Sequence, residues 1–167
     1  MLTFILAVAS AVLLLITDQI TKLLVINNFT LGETKVFING ILNFCYVEND
    51  GGAWGMFGGH TWLLLSVTAA AMIICIAWLI IRGRKNPFLF WAVSLIISGG
   101  IGNMLDRVFR GGRVVDFLQF GFWQSFPVFN IADCAIVVGC GLLILYFVTD
   151  TVKEIKAKKE NPSNADS

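Results

Sequence analysis

Long apolar runs separated by short polar segments dominate the pattern along the chain. Four of these runs contain almost no Asp, Glu, Lys or Arg, and each approaches the roughly 20 residues that a helix needs to cross a bilayer. The predicted spans cover residues 2–20, 60–81, 87–105 and 128–149. The pattern therefore predicts a mainly α, polytopic membrane protein: a single four-transmembrane-helix bundle, followed by a tail over residues 150–167 that is a frayed helix end and a disordered terminus.

The first outer loop, residues 27–59, contains a stretch that favours strands. Residues 36–47 are rich in Val, Ile, Phe and Tyr, and Asn39-Gly40 in this stretch is a strong signal for a hairpin turn. We expect a small antiparallel β-sheet there, at the membrane surface. The second outer loop, residues 106–127, is predicted as a loop.

Composition and charge agree with a membrane protein. Of the 167 residues, 57% are hydrophobic and 14% are charged, whereas soluble domains have about 45–50% and 25%. The formal net charge of +1 gives no indication of a nucleic-acid partner. Most of the 12 Lys and Arg residues lie in residues 82–85 and in the tail, which predicts cytoplasmic termini. The four cysteines lack metal-type or redox-type spacing, so neither zinc nor a disulfide is predicted.

Polar and charged residues gather at the outer ends of the predicted helices. The chain alternates direction through the membrane, so residues far apart in sequence fall on this side. Asp18 and Lys22 share a helix face because their spacing is i,i+4, and the same spacing places Asn103 and Arg107 on one face. The other members of this polar set are Asn49, Gly51, Asp106, Asp116, Asn130 and Asp133.

Asp116 and Asp133 differ from the rest, because each has uncharged, mostly apolar neighbours: Val115 and Phe117 flank Asp116, and Ala132 and Cys134 flank Asp133. A charge at a helix centre costs roughly 2.5–3.5 kcal/mol even on insertion scales, so an ionisable residue near the bilayer is a functional-site hypothesis. Two carboxyls that meet in apolar surroundings titrate as a pair holding one proton, which is an acid–base device. With a helix start near residue 128, we expect Asp133 about 8 Å inside the last span.

Three other functions compete with a catalytic pair of aspartates. A serine or cysteine hydrolase would use His60 with Cys45 or Ser66, although no third orienting group is evident. A proton-coupled transporter would use intramembrane acids, but here the acids gather on one side and no inverted repeat accompanies them. A non-enzymatic tetraspan membrane protein would tolerate replacement of both aspartates by Asn.

Several sequence blocks resemble the lipoprotein signal peptidases, the signal peptidase II family. The family's motifs DQxTK, NxGAAxG, GNxxDR…VVDF and FNxAD have counterparts here in the same order and at matching topological positions. The counterparts are residues 18–22 (DQITK), 49–55 (NDGGAWG), 102–107 (GNMLDR), 114–117 (VVDF) and 129–133 (FNIAD). One departure is Gly52, where the family usually has Ala.

The resemblance implies an intramembrane aspartic endopeptidase of the bacterial cell (inner) membrane, with Asp116 and Asp133 as the catalytic residues and the active site toward the outer leaflet. It implies prolipoprotein substrates that carry a diacylglyceryl group on a cysteine, with cleavage just before that cysteine. Membrane lipids are the other implied partners, and neither a cofactor nor a metal is implied. Supporting or substrate-binding roles fall to Asp18, Lys22, Asn49, Gly51, Asn103, Asp106, Arg107 and Asn130.

Residues 53–57 have two interpretations. They form a short amphipathic lid over the cleft, or Trp54 is an aromatic anchor at the membrane interface.

Overall fold

Four long helices and a three-stranded sheet make up the computed structural model, which describes residues 1–81 and 86–160. The helices are α1 (Leu2–Asn28), α2 (Thr61–Ile81), α3 (Pro87–Phe109) and α4 (Ile131–Glu160). The strands are β1 (Thr34–Ile38), β2 (Leu42–Asn49) and β3 (Val114–Phe120), and a 3-10 turn covers Ala53–Gly55. Each helix is long and apolar enough to cross a membrane. The prediction of a mainly α, multi-pass membrane protein with a small sheet is confirmed.

Helix α3 is the centre of the bundle, because it packs against the other three helices. Two glycines allow its close approach to neighbours. A Cβ at Gly99 would overlap the carbonyl oxygen of Ala132, and a Cβ at Gly102 would lie 2.7 Å from Asp18 Oδ2. The small residues of α3 therefore bring α1 and the first turn of α4 together.

The sheet is antiparallel and has the strand order β1-β2-β3. The predicted hairpin between β1 and β2 is confirmed, and Gly40 in its turn has a φ of 72°, in the left-handed region that favours glycine. Strand β3 lies in the second outer loop, where no strand was predicted. It pairs with β2 so that Val47 lies opposite Asp116 and Asn49 opposite Val114. This pairing places Asp116 on a strand that is held from one side by β2.

Helices α1 and α3 end later than predicted. α1 continues to Asn28 instead of ending near residue 20, because Asp18 and Lys22 are buried against each other and do not interrupt it. α3 continues to Phe109 instead of residue 105. The basic segment 82–85, on which the orientation of the termini partly depends, lies outside the described residues.

Helix α4 begins later and ends later than predicted. It starts at Ile131 and not near residue 128, because Phe129 still pairs with Leu118 of β3. The expected depth of Asp133 inside this span is therefore wrong, and Asp133 lies in the first helical turn. The helix continues to Glu160, beyond the predicted end at residue 149 and into the predicted tail over residues 150–167, and residues 161–167 of that tail lie outside the described residues.

Candidate active site

A cavity of about 610 Å³ opens where the sheet meets the adjoining ends of α3 and α4. Asp116 enters it from β3, and Asp133 enters it from the first turn of α4. Its other polar side chains are Asn49, Asn103 and Arg107. Its apolar wall includes Trp54, Phe120, Phe126, Val128, Phe129, Ile136, Val137 and Val138. The two aspartates thus share one mostly apolar cavity, which is the arrangement that a catalytic pair requires.

Asn130 connects the two carboxyl groups and is itself 0% exposed. Its Nδ2 donates a hydrogen bond to Asp116 Oδ1 at 2.6 Å, and its backbone N–H donates to Asp133 Oδ2 at 3.0 Å. Its Oδ1 accepts from the backbone N–H of Asp133 at 2.9 Å, which completes a reciprocal cap at the start of α4. A single residue therefore caps the helix through its side chain and donates to both carboxyls, to Asp116 from its side chain and to Asp133 from its backbone.

Asn103 supplies a second hydrogen bond to Asp133, from Nδ2 to Oδ1 at 2.7 Å. Its own Oδ1 accepts from Asn130 Nδ2 at 3.0 Å and from Lys22 Nζ at 3.1 Å. Because both neighbours are donors, they fix the orientation of the amide and direct its NH2 group at Asp133. Each oxygen of the Asp133 carboxyl consequently has a donor.

Asn49, at the end of β2, holds the other side of Asp116. Its Nδ2 donates to Asp116 Oδ2 at 3.0 Å, while its Oδ1 accepts from the backbone N–H of Gly51 at 2.9 Å. A Cβ at Gly51 would lie 2.9 Å from the carbonyl oxygen of Met56, so this position has no room for a side chain. At Gly52 the same oxygen is 3.5 Å away, an ordinary contact, so the alanine usual in the family fits there.

A buried ion triad lies behind the cavity. Lys22 Nζ is 2.9 Å from Asp18 Oδ2 and 2.9 Å from Asp106 Oδ2, and none of the three side chains is more than 1% exposed. The sequence predicted that Asp18 and Lys22 share a face, but it missed two further partners of Asp106. Gln19 Nε2 and Arg110 Nε donate to Asp106 Oδ1 at 3.3 Å and 3.1 Å. The i,i+4 spacing of Asp106 and Arg110 was a usable signal.

The pKa of Asp116 is raised to about 7, first by burial and then by the negative charge of Asp133. The hydrogen bonds from Asn49 and Asn130 and the positive charge of Lys22 act in the opposite direction. A carboxyl that titrates near neutral pH can both give and accept a proton under ordinary conditions.

Arg107 ties the loop after β2 to α3. Its Nη2 donates to the carbonyl oxygen of Gly51 at 2.9 Å, and its Nη1 donates to the carbonyl oxygen of Asn103 at 3.3 Å. The predicted common face of Asn103 and Arg107 is therefore confirmed. Within the described residues, Arg107 Nε is buried and has no hydrogen-bond partner. The guanidinium lines the cavity beside Asp116 and Asp133 and retains unused donors.

Trp54 borders the cavity from the 3-10 turn. Its ring meets the ring of Phe126 edge-on, with 5.7 Å between the centroids, and the residue is 65% exposed. Its φ of 56° lies in the left-handed region, which is uncommon for a residue other than glycine. The contact across the cavity favours the lid interpretation of residues 53–57.

The groups for a serine or cysteine hydrolase are not assembled. His60 Nδ1 lies 3.1 Å from the carbonyl oxygen of Gly58 in its own loop. Cys45 is buried on β2, and Ser66 lies on α2. In the part of the chain that the structure describes, no hydrogen bond joins any two of His60, Cys45 and Ser66.

Comparison with known proteins gives matches over most of the chain. The profile of the signal peptidase (SPase) II family matches residues 10–149. The lipoprotein signal peptidase of Lactococcus lactis subsp. cremoris (strain SK11) is 39% identical over 142 residues, which are 85% of this chain and 91% of the relative. The lipoprotein signal peptidase of Halalkalibacterium halodurans is 36% identical over 151 residues, which are 90% of this chain and 94% of the relative.

Solved structures show the same fold. A bacterial membrane enzyme determined at 2.3 Å resolution superimposes with a TM-score of 0.82 at 34% identity, covering 89% of both chains. A second bacterial membrane enzyme, determined at 1.9 Å, gives a TM-score of 0.78 at 34% identity and covers 89% of this chain and 94% of the other. The chain therefore belongs to the signal peptidase II family of membrane peptidases.

Proposed function

We propose that the chain is an intramembrane aspartic endopeptidase in which Asp116 and Asp133, here called the dyad, carry out the hydrolysis. The observation that carries this proposal is the shared cavity, in which one amide, that of Asn130, donates to Asp116 while its backbone donates to Asp133. Two carboxyls held this way lie where one can accept a proton from water while the other gives a proton to a carbonyl oxygen.

The dyad holds one proton in its active state. Asp133 caps the N-terminus of α4, where the helix dipole favours negative charge, so it is the ionised partner. Asp116, with its pKa of about 7, is the protonated partner below neutral pH. Asp133 takes a proton from water as the oxygen attacks the peptide carbonyl, and Asp116 protonates the carbonyl oxygen. Asp133 then protonates the leaving amine, and Asp116 recovers its proton as the carbonyl reforms.

Neighbouring residues orient the dyad and the substrate. Asn103 and Asn130 hold the carboxyls in place through the bonds described above. Arg107 has donors left over, which suit a carbonyl oxygen of the bound peptide. Asn49 and Gly51 shape the rim of the cavity. The buried triad of Asp18, Lys22 and Asp106 supports this arrangement from behind.

The substrates are prolipoproteins with a diacylglyceryl group on a cysteine, and the bond cut lies just before that cysteine. The apolar wall of the cavity continues onto Val137 and Val138 of α4, which are exposed. Acyl chains that lie along this wall hold the peptide at the dyad, so that their binding energy contributes to alignment of the scissile bond. The names of the relatives, lipoprotein signal peptidases, support this substrate class.

The protein belongs in the bacterial inner membrane with cytoplasmic termini and with the cavity toward the outer leaflet. The support comes from basic residues near the end of α4, namely Lys153, Lys156 and Lys159, since basic residues favour the cytoplasmic side.

The test uses two precursors of identical sequence, one diacylated on the cysteine and one not. Purified protein in detergent should cut the diacylated precursor just before the modified cysteine and leave the other largely intact. Mass spectrometry of the products locates the cut. Equal cleavage of both precursors, or a cut elsewhere, would contradict the proposed substrate.

A further inference from the structure

Each member of the dyad follows a residue whose backbone N–H is bound by a buried carboxylate. Asp106 Oδ2 accepts the backbone N–H of Val115, the residue that precedes the strand aspartate, at 3.1 Å. Asp18 Oδ1 accepts the backbone N–H of Ala132, the residue that precedes the helix aspartate, at 2.9 Å. The placement of each dyad residue in the structure therefore depends on one supporting carboxylate.

Lys22 joins these two supporting carboxylates. Its ammonium lies 2.9 Å from Asp18 Oδ2 and 2.9 Å from Asp106 Oδ2, and its third contact is Asn103 Oδ1 at 3.1 Å. An ammonium has three N–H donors, so all three are used. With a side chain that is 0% exposed, Lys22 has no access to water.

We propose that Lys22 is a positioning residue that sets the separation of the two dyad carboxyls. It does so by tying the carboxylate that holds β3 to the carboxylate that holds the start of α4. We call Asp18, Lys22 and Asp106 the Lys22 bracket. The inference rests on the proposed function, because a fixed separation matters only if the two carboxyls act together.

Stability alone is a poor explanation for the Lys22 bracket. Replacing a buried ion pair by apolar side chains is often neutral or stabilising, because burial of the charges is itself costly. Positioning explains the arrangement better, since a misplacement of about 1 Å at a reacting centre can cost about 100-fold in rate. The third donor of Lys22 adds to this role, because it helps fix the amide of Asn103 that donates to Asp133.

The charge of Lys22 gives the proposal a second readout. The charged groups that face Asp116 are Asp133 from α4, Arg107 from α3 and Lys22 from α1, while β2 contributes the uncharged Asn49. The positive charge of Lys22 lowers the pKa of Asp116, so its removal raises that pKa. The alkaline limb of the rate profile, where the dyad loses its last proton, then moves to higher pH.

The experiment uses charge-balanced double variants of the full chain in detergent. Lys22→Met/Asp18→Asn removes one charge of each sign and cuts the bracket, while Asp106 keeps its second cation, Arg110, at 3.1 Å. Lys22→Met/Asp106→Asn cuts the bracket from the other side and leaves Asp18 without its cation. The matched control is Lys35→Met/Glu33→Gln, which removes an exposed pair at 3.0 Å on the hairpin. Cleavage of the diacylated precursor gives kcat, KM and the pH profile, and thermal unfolding reports folding.

The bracket variants should fold and lose about 100-fold in kcat with KM changed by less than about threefold. The alkaline limb should move to higher pH in Lys22→Met alone, which removes the positive charge and keeps both carboxylates. The control should match the unmodified protein in each measurement. Folded bracket variants with normal kcat would overturn the proposal. If neither bracket variant folds, the triad is a folding element and the positioning role is likewise rejected.

Two dyad variants run in parallel separate the two hypotheses. If Asp116→Asn and Asp133→Asn both retain normal turnover, the proposed function itself fails. If both are inactive while the bracket variants turn over normally, only the role of Lys22 fails.

Discussion

Asn130 caps a helix and also donates to Asp116, and two different substitutions can separate these roles. It caps α4 through its Oδ1, and it donates to Asp116 through its Nδ2 at 2.6 Å. Asn130→Ser keeps an oxygen for the cap and loses the donor to Asp116. Asn130→Ala loses both.

The magnitudes follow from the two hydrogen bonds. A hydrogen bond to a charged group contributes about 1.5–3 kcal/mol, and one pKa unit corresponds to about 1.36 kcal/mol. The Nδ2 bond lowers the pKa of Asp116 from what burial alone would give. Its loss should therefore move the alkaline limb of the rate profile upward by about one to two pH units in both variants. Loss of the cap should reduce the stability of the alanine variant by about 1 kcal/mol relative to the serine variant.

The assay is the initial rate of cleavage of a diacylated precursor between about pH 5 and pH 9, combined with unfolding of each variant in mixed detergent micelles. Both variants should show the displaced alkaline limb and a lower maximal rate, and only the alanine variant should lose the additional stability. An alkaline limb that stays in place in both variants would refute the assignment of that limb to Asp116.

Three further predictions concern glycines and the cost of the buried acid. Gly51→Ala should lower activity because its Cβ would lie 2.9 Å from a backbone oxygen, whereas Gly52→Ala, with 3.5 Å, should leave cleavage rates unchanged. Gly139→Ala should destabilise the bundle by about 1–3 kcal/mol because its Cβ would lie 2.7 Å from a carbonyl oxygen of α3. Gly141→Ala on the same helix has open space and should unfold like the unmodified protein. Finally, the pKa of Asp116 is raised from 3.8 to about 7, so the folded state loses stability as pH rises through this range. Above pH 7, the free energy of unfolding of Asp116→Asn should therefore exceed that of the unmodified protein by up to about 4 kcal/mol. Denaturant titration of both proteins measures this difference.

Hydropathy predicted the four spans and the Asn39-Gly40 turn predicted the hairpin, because both signals are local in sequence. Strand β3 was missed because its hydrogen bonds go to β2, which is far away along the chain. The pairing decides that Asp116 lies on a strand, and no local pattern around Asp116 contains that information.

The sequence predicted which residues form the site, but not the hydrogen bonds and ion pairs that join them. Helical spacing indicated that Asp18 and Lys22 share a face, but the contact of Lys22 with Asp106 depends on how α1 and α3 are rotated toward each other. The start of α4 was placed too early, although Asn130 and Asp133 have the spacing of a reciprocal cap. The spacing of such a cap places Asp133 in the first turn of the helix.

The most direct test of the account is cleavage of a diacylated precursor by Asp116→Asn and Asp133→Asn, each compared with Asp50→Asn, which changes an exposed aspartate in the same region. The account predicts that both dyad variants fold and yield no signal-peptide release, while Asp50→Asn cleaves at the unmodified rate. Normal turnover by a folded Asp116→Asn or Asp133→Asn protein would contradict it.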